Sequence, residues 1–253
     1  MSTRPKAKTK TIGTLREKSL HAALKQHYAK KNDVVEAKLD GYSIDIVRGD
    51  VRGDVRGNMR GQGKGRQRQR QRELIEIQTR SFASAKRKLQ DLVQRHKVLL
   101  VHPIAQEKTI VRYDANGVLL ARRRSPKRGC IEDVFVELVS FPELLAHPNF
   151  ALEVVLTHEE EVQHDDGRGS WRRGGRSIFD RRLVEIVAVL HFDAPSDFLQ
   201  RLPAALPAQF TNAELAQHLG KPRWLASKMT YCLWRMGALE KVGKRGKANV
   251  FSR

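Results

Sequence analysis

Two apolar stretches, Tyr42-Ser-Ile-Asp-Ile-Val47 and Leu74-Ile-Glu-Ile-Gln78, decide how this chain is read. Each has the period-two alternation of a β-strand. The first places Ser43, Asp45 and Val47 on one face. The second places Glu76 and Gln78 on one face and Ile75 and Ile77 on the other. A carboxylate in the middle of an apolar strand is costly unless it has a partner or a task. Two of them on neighbouring strands point to a site.

The flanks supply the neighbouring elements. Thr14 to about Lys30 is predicted helical, with Thr14 and Glu17 as a capping box and Leu20, Ala23, Leu24 and His27 as its inner face. Val34–Leu39 is a predicted strand, and Asp40-Gly41 a tight hairpin turn into the next. After Gln78, Ser81 is a helix N-cap, and Phe82, Ala85, Leu89, Leu92 and Val93 form an apolar stripe. Lys97-Val-Leu-Leu-Val101 reads as a further buried strand.

Helix, three strands, helix, strand, with D…E-x-Q on the second and third strands, resembles the core of the PD-(D/E)XK nucleases over about residues 12–105. The resemblance implies a restriction-endonuclease-like mixed sheet flanked by helices and a metal-dependent deoxyribonuclease. Asp45 matches the family's first acid, Glu76 its second and Gln78 its lysine. Hard cations such as Mg²⁺ or Mn²⁺ take carboxylate and carbonyl oxygens, so Asp45, Glu76 and the Ile77 carbonyl would hold one ion. Glutamine can orient a water but carries no charge; some nucleases of the family carry it at this position. A displaced cation is the other possibility: Arg80 lies two residues on, and Lys86 on the following helix, which packs beside the site in the family, is the expected one. Glu17 matches an optional first-helix acid or is simply the capping-box residue, and Glu36 is another acid at the sheet or a partner of Lys38.

Between the second and third strands lies an insert, residues 47–72, of VRGD, VRGD, VRGN and MRGQ followed by GKGR and an Arg-Gln alternation. Glycine and mutually repelling arginines predict a flexible basic loop, either a DNA clamp or a neutral repeat expansion. Residues 1–11 read as a disordered basic arm without the apolar core of a signal peptide. Residues 107–195 are expected to form a middle α/β region. It has a hairpin at 109–121, partly helical structure over 131–145, and strands at 150–157 and 183–192. His158, Glu159, Glu160, Glu161, His164, Asp165 and Asp166 are read as a polar loop facing water, not a metal site. Arg168, Arg172, Arg173 and Arg176 with Trp171 form a basic patch that tracks phosphate or is a solvated loop.

Residues 196–207 read as a Pro-punctuated linker into a last module, 208–253. Thr211 and Glu214 form a capping box, Gly220 and Pro222 separate two helices, and a basic-tipped hairpin follows. This resembles a winged helix-turn-helix domain. That implies Lys221, Arg223, Ser227 and Lys228 in the major groove and Lys244, Arg245 and Lys247 on phosphate or in the minor groove. Leu225, Met229, Cys232 and Leu233 are core positions, and Trp224 is read as a core anchor.

Composition agrees. The formal net charge of +20 favours a polyanion partner, most simply double-stranded DNA. Cys130 and Cys232 form neither a metal motif nor a disulfide framework, and no apolar run approaches a membrane span; a cytoplasmic, nucleoid-associated protein is expected. No Ser/His/Asp triad, P-loop or dinucleotide glycine motif is present. A non-catalytic DNA-binding regulator on the same scaffold and an RNA-processing factor are the alternatives. Many nucleases of this kind act as homodimers, and nothing in the sequence demands it.

Overall fold

A computed structural model describes residues 18–49, 72–114 and 116–253. In chain order the elements are helix α1 (Ser19–Tyr28) and strands β1 (Val34–Leu39), β2 (Tyr42–Arg48) and β3 (Glu73–Ile77). Helix α2 (Lys86–Leu92), strands β4 (Lys97–Tyr113) and β5 (Leu119–Arg124), and helix α3 (Phe135–Leu138) follow. Then come β6 (Phe150–His164), β7 (Ser177–Phe192), helix α4 (Pro195–Leu199) and β8 (Gln209–Thr211). Helices α5 (Asn212–Leu219) and α6 (Arg223–Arg235) and strands β9 (Glu240–Arg245) and β10 (Ala248–Ser252) complete the chain.

The fold is mixed α/β, with a seven-stranded mixed sheet ordered β1-β2-β3-β4-β6-β7 and flanked by helices. β3, β4 and β6 run parallel, the outer pairs antiparallel. β4 is long enough to pair β3 through residues 97–101 and β5 through residues 109–113 on one side, while β6 follows it on the other. The Asp40-Gly41 turn has φ of 52° and 81°, the left-handed geometry that a two-residue hairpin requires.

The two faces of the sheet bury separate clusters. Ile46, Ile75 and Ile77 meet Leu20 and Leu24 of α1. Leu74, Val98 and Leu100 meet Phe82, Leu89, Leu92 and Val93, so every residue of the predicted stripe except the small Ala85 contributes a large buried side chain there. Ser81 caps the short 3-10 turn Phe82–Ser84, and the α-helix proper starts at Lys86. His27, expected on the inner face of the first helix, is exposed; Leu20 and Leu24 are buried there and Tyr28 packs beside them.

Three expectations change. The boundary placed between 106 and 107 falls inside β4, so one sheet spans both regions. The polar stretch from His158 to His164 is strand, not loop. Its inward row, Thr157, Glu159, Glu161 and Gln163, is polar rather than apolar, which hides the period from a hydrophobicity reading. Two charges of the stretch are held by neighbours: Glu160 by Arg122 and Arg182, Glu161 by Lys108 at 2.8 Å. The stretch read as a linker, 196–207, contains most of α4 and buries Phe198, Leu202 and Leu206 in the larger cluster. Through them the last module shares one core with the sheet. The basic arm 1–11, the Thr14–Glu17 box and most of the insert lie outside the described residues.

Arg48, the arginine of the first repeat unit, ends β2 as a clamp. It donates to Asp33, to Glu73 at 2.8 Å and to the Tyr28 carbonyl at 2.9 Å. The Asp33 side chain is only 4% exposed, so removing its partner strands a buried charge. Arg48→Met is expected to cost about 3 kcal/mol in urea unfolding. A loss below about 1 kcal/mol would show that water replaces the clamp.

Candidate functional site

β2 and β3 pair only from Arg48↔Glu73 to Ile46↔Ile75. One step further the register would set Asp45 opposite Glu76, and there the ladder stops. The alternation of β2 breaks at the same point: Ile44 belongs to one core cluster and Ile46 to the other. The sheet therefore splits at the two carboxylates that the sequence singles out.

Asp45 bridges the split. Its Oδ2 accepts the Ile77 N–H at 2.8 Å and lies 3.3 Å from His21 Nε2 of α1. The next N–H on β3, that of Gln78, turns the other way, to Val101 of β4. Strand alternation therefore turns the Ile77 carbonyl to the same side as its N–H, toward the split. Burial pushes the Asp45 carboxyl up. The hydrogen bond and charge of His21, the Ile77 N–H and the charge of Lys88 outweigh burial, and the net shift is down.

Glu76 is the opposite case. Burial first, then the Asp45 charge, raise its carboxyl, and Lys88 offsets this only in part. Lys88 Nζ donates to Glu76 Oε1 at 2.6 Å and also to the Ser43 carbonyl. Glu76 Oε2 is buried without a partner. Two carboxylates pushed in opposite directions, one with an orphan oxygen, form a costly arrangement that a divalent cation would relieve. Asp45, Glu76 and the Ile77 carbonyl offer it three oxygens. Among the described residues no group of three or more His, Cys, Asp and Glu is arranged as a ready metal cage. The fit rests on the orphan oxygen and the donor set.

The expected cation is corrected. Lys86 lies exposed at the first turn of α2, and Lys88, two residues on, reaches the site. Arg80 is exposed and beyond β3. Gln78 turns its side-chain N–H to the Ser81 carbonyl at 2.6 Å and to Ser84 Oγ at 2.9 Å, which leaves its Oε1 as an acceptor. Glu36 pairs with Lys25 at 2.6 Å, away from the carboxylates. Glu17 lies outside the described residues. Sequence reasoning missed His21 and Lys88. The helical spacing of His21 from Leu24 was a usable signal, because it places His21 on the flank of the face that α1 buries.

The expected nucleic-acid contacts divide. Arg223, Lys244 and Lys247 are exposed. Arg245 is exposed but paired with Glu214 at 2.6 Å. Lys228 is half-buried. Ser227 donates to the Arg223 carbonyl at 2.9 Å and accepts from Asn212 at 3.0 Å, so it braces α5 against α6. Lys221 faces Cys130, Glu132 and Asp133, and the Cys130 thiol leads these groups in holding its ammonium above the ordinary value. Trp224, read as a core anchor, is 54% exposed. Trp171 is exposed, with Arg172 stacked 5.5 Å from its ring. Among the described residues no helix is long and apolar enough to cross a membrane.

A relative in Treponema pallidum (strain Nichols), bearing the words "Uncharacterized protein", is 28% identical over 207 residues, 82% of this chain and 74% of that one. No solved structure matches. The family described as "Domain of unknown function (DUF8091)" matches residues 18–52 and 68–193. That span takes in the whole seven-stranded sheet and both carboxylates, and the chain belongs to this family.

Proposed function

We propose that this protein is a nucleic-acid-binding phosphodiesterase, a metal-dependent deoxyribonuclease of restriction-endonuclease-like type with its centre at Asp45, Glu76 and Lys88. The observation that carries the reading is the sheet split, where Glu76 keeps one buried oxygen unpartnered and the other on Lys88. Asp45, Glu76 and the Ile77 carbonyl would hold Mg²⁺ or Mn²⁺. When bound, such an ion supplies Lewis acidity to the phosphoryl group and to water.

This chain's residues do the rest. His21 and the Ile77 N–H hold Asp45 ionised and oriented. Lys88 supplies the positive charge that Gln78 lacks, from a neighbouring element. Gln78, anchored by its amide N–H groups, presents Oε1 to orient a water. Residues 208–253, read as a winged helix, bind the duplex through Arg223, Lys244 and Lys247. The reading of a scaffold that binds without cutting rests on Gln78, and Lys88 removes its main support.

The two lysines test the assignment. Lys88→Ala should slow cleavage of duplex DNA by about 10²–10³-fold, the scale of one preorganised charge. Lys86→Ala should leave the rate near that of the wild type. Equal losses in both variants would mean that α2 contributes diffuse charge and not a catalytic group. Competition between duplex, single-stranded DNA and RNA separates the deoxyribonuclease from an RNA-processing factor.

A further inference from the structure

Between its two partners on one side, residues 102–108 of β4 pair with no strand among the described residues; only the Gly129 and Ser125 N–H groups reach it there, at the Ala105 and Lys108 carbonyls. β3 has ended at Ile77, and β5 pairs only from Thr109 onward. The gap opens into a cavity of about 450 Å³, within the range of about 300–1,000 Å³ usual for ligand pockets. Gly129 closes one wall by approach to β4: a Cβ there would lie 2.5 Å from the Ala105 carbonyl oxygen. Trp224 stands at the lining from α6.

Three of the ionised groups around this cavity are already engaged. Asp133 accepts the Cys130 N–H at 3.1 Å, Glu137 accepts the Phe82 N–H at 3.1 Å, and Lys108 is paired with Glu161. Glu159 is not satisfied. It is 3% exposed, its Oε1 accepts from Thr157 Oγ1 at 2.9 Å, and its Oε2 is buried with no partner. His102 adds a second acceptor. Its Nδ1 lies 2.6 Å from the Gln78 carbonyl and so must carry the proton, which leaves Nε2 of the neutral ring as an acceptor. Burial, the largest influence on this ring, favours that neutral form. Arg181 and Lys127 line the same cavity and, among the described residues, have no ion-pair partner.

Buried acceptors, an aromatic face and cations together match one nucleotide. The geometry points to a pocket that takes a guanine nucleotide, its base edge on Glu159 and His102, its face on Trp224 and its phosphate on Arg181 and Lys127. Guanine is selected because its N1–H and N2–H₂ present adjacent donors to a carboxylate. Adenine and cytosine offer only the amino group, and thymine and uracil a single ring N–H. The source is either a free mononucleotide or an unpaired guanine of a bound strand. In the second form the inference rests on the nucleic-acid reading above. Thr79 of the lining is three residues from Glu76, no more than about 11 Å along the chain, so an occupant would sit within one or two nucleotides of a phosphate at the carboxylates.

Binding of GMP, AMP, CMP and UMP, by calorimetry and tryptophan fluorescence, tests the first source. DNA hairpins carrying one unpaired guanine or one unpaired thymine, with a fully paired control, test the second. Guanine probes of at least one kind should bind about tenfold or more tightly than their thymine or uracil counterparts. Glu159→Gln should erase that preference. Trp224→Ala, a change at an exposed side chain, should weaken all bases alike by about tenfold. Preference among mononucleotides alone identifies the free ligand, and preference among hairpins alone identifies the strand. Equal binding of guanine and thymine or uracil probes in both sets, or unchanged selectivity in Glu159→Gln, overturns the pocket. Cleavage of paired duplex by the same preparations separates the two readings. Metal-dependent cutting without base preference leaves the nuclease standing and the pocket fallen, and guanine preference without cutting does the reverse.

Discussion

Replacing Glu76 by glutamine is expected to abolish metal-dependent cleavage and yet leave the protein at least as thermally stable as the wild type at pH 8. The loss of rate should be at least about 10²–10³-fold, because a ligand and the partner of Lys88 go together. The stability follows from electrostatics. Burial and the neighbouring Asp45 charge raise the Glu76 carboxyl, so its ionised form is disfavoured in the fold. A carboxyl raised on folding stabilises the protein below the ordinary carboxylate range and loses that contribution as pH rises through its raised value. The ionised Glu76 of the wild type carries that penalty, and the neutral amide of Glu76→Gln carries none. The difference in Tm should favour the variant at pH 8 and shrink toward zero near pH 4. A variant that melts well below the wild type at pH 8 would make Glu76 a structural partner of Lys88 instead.

Phe198→Ala should give the largest loss of stability, about 4 kcal/mol. The ring is 1% exposed, stacked on Phe192 at 4.1 Å and set edge-on to Phe135 at 5.3 Å. It thus joins the end of β7, α3 and the C-terminal helices in one cluster. For a chain of this length the expected fall in Tm is about 10 °C. Calorimetry should show one transition, shifted as a whole, since the sheet and residues 208–253 share that core. Two transitions of which only one moves would show that they unfold separately.

The local elements of the site could be read from the sequence because they obey simple periods. The apolar stretch 42–47, the alternation in 74–78 and the stripe from Phe82 to Val93 predict β2, β3 and the α2 face, and the register of the two strands sets the carboxylates at one level, although the alternation of β2 breaks between Ile44 and Ile46. The partners of those carboxylates were harder to read. Lys86 and Lys88 differ only in which side of a short helix meets the sheet, and packing decides that. The long strand β6 was read short because its inward row carries Thr157, Glu159, Glu161 and Gln163, which hydrogen-bond in pairs and, at Glu161, to Lys108. Trp224 looked like core because large aromatics usually are; Leu225 and Met229 hold that place, and the indole is left outside.

The proposed hydrolytic centre at Asp45 and Glu76 is tested by cleavage of linear, supercoiled, single-stranded and branched DNA by the purified protein and its Asp45→Ala variant. Each substrate would be offered with Mg²⁺, with Mn²⁺ or with chelator. Cutting should need the metal and disappear in the variant. Full activity of Asp45→Ala, or tight binding of every substrate by the wild type with no cutting under any metal, would contradict that centre.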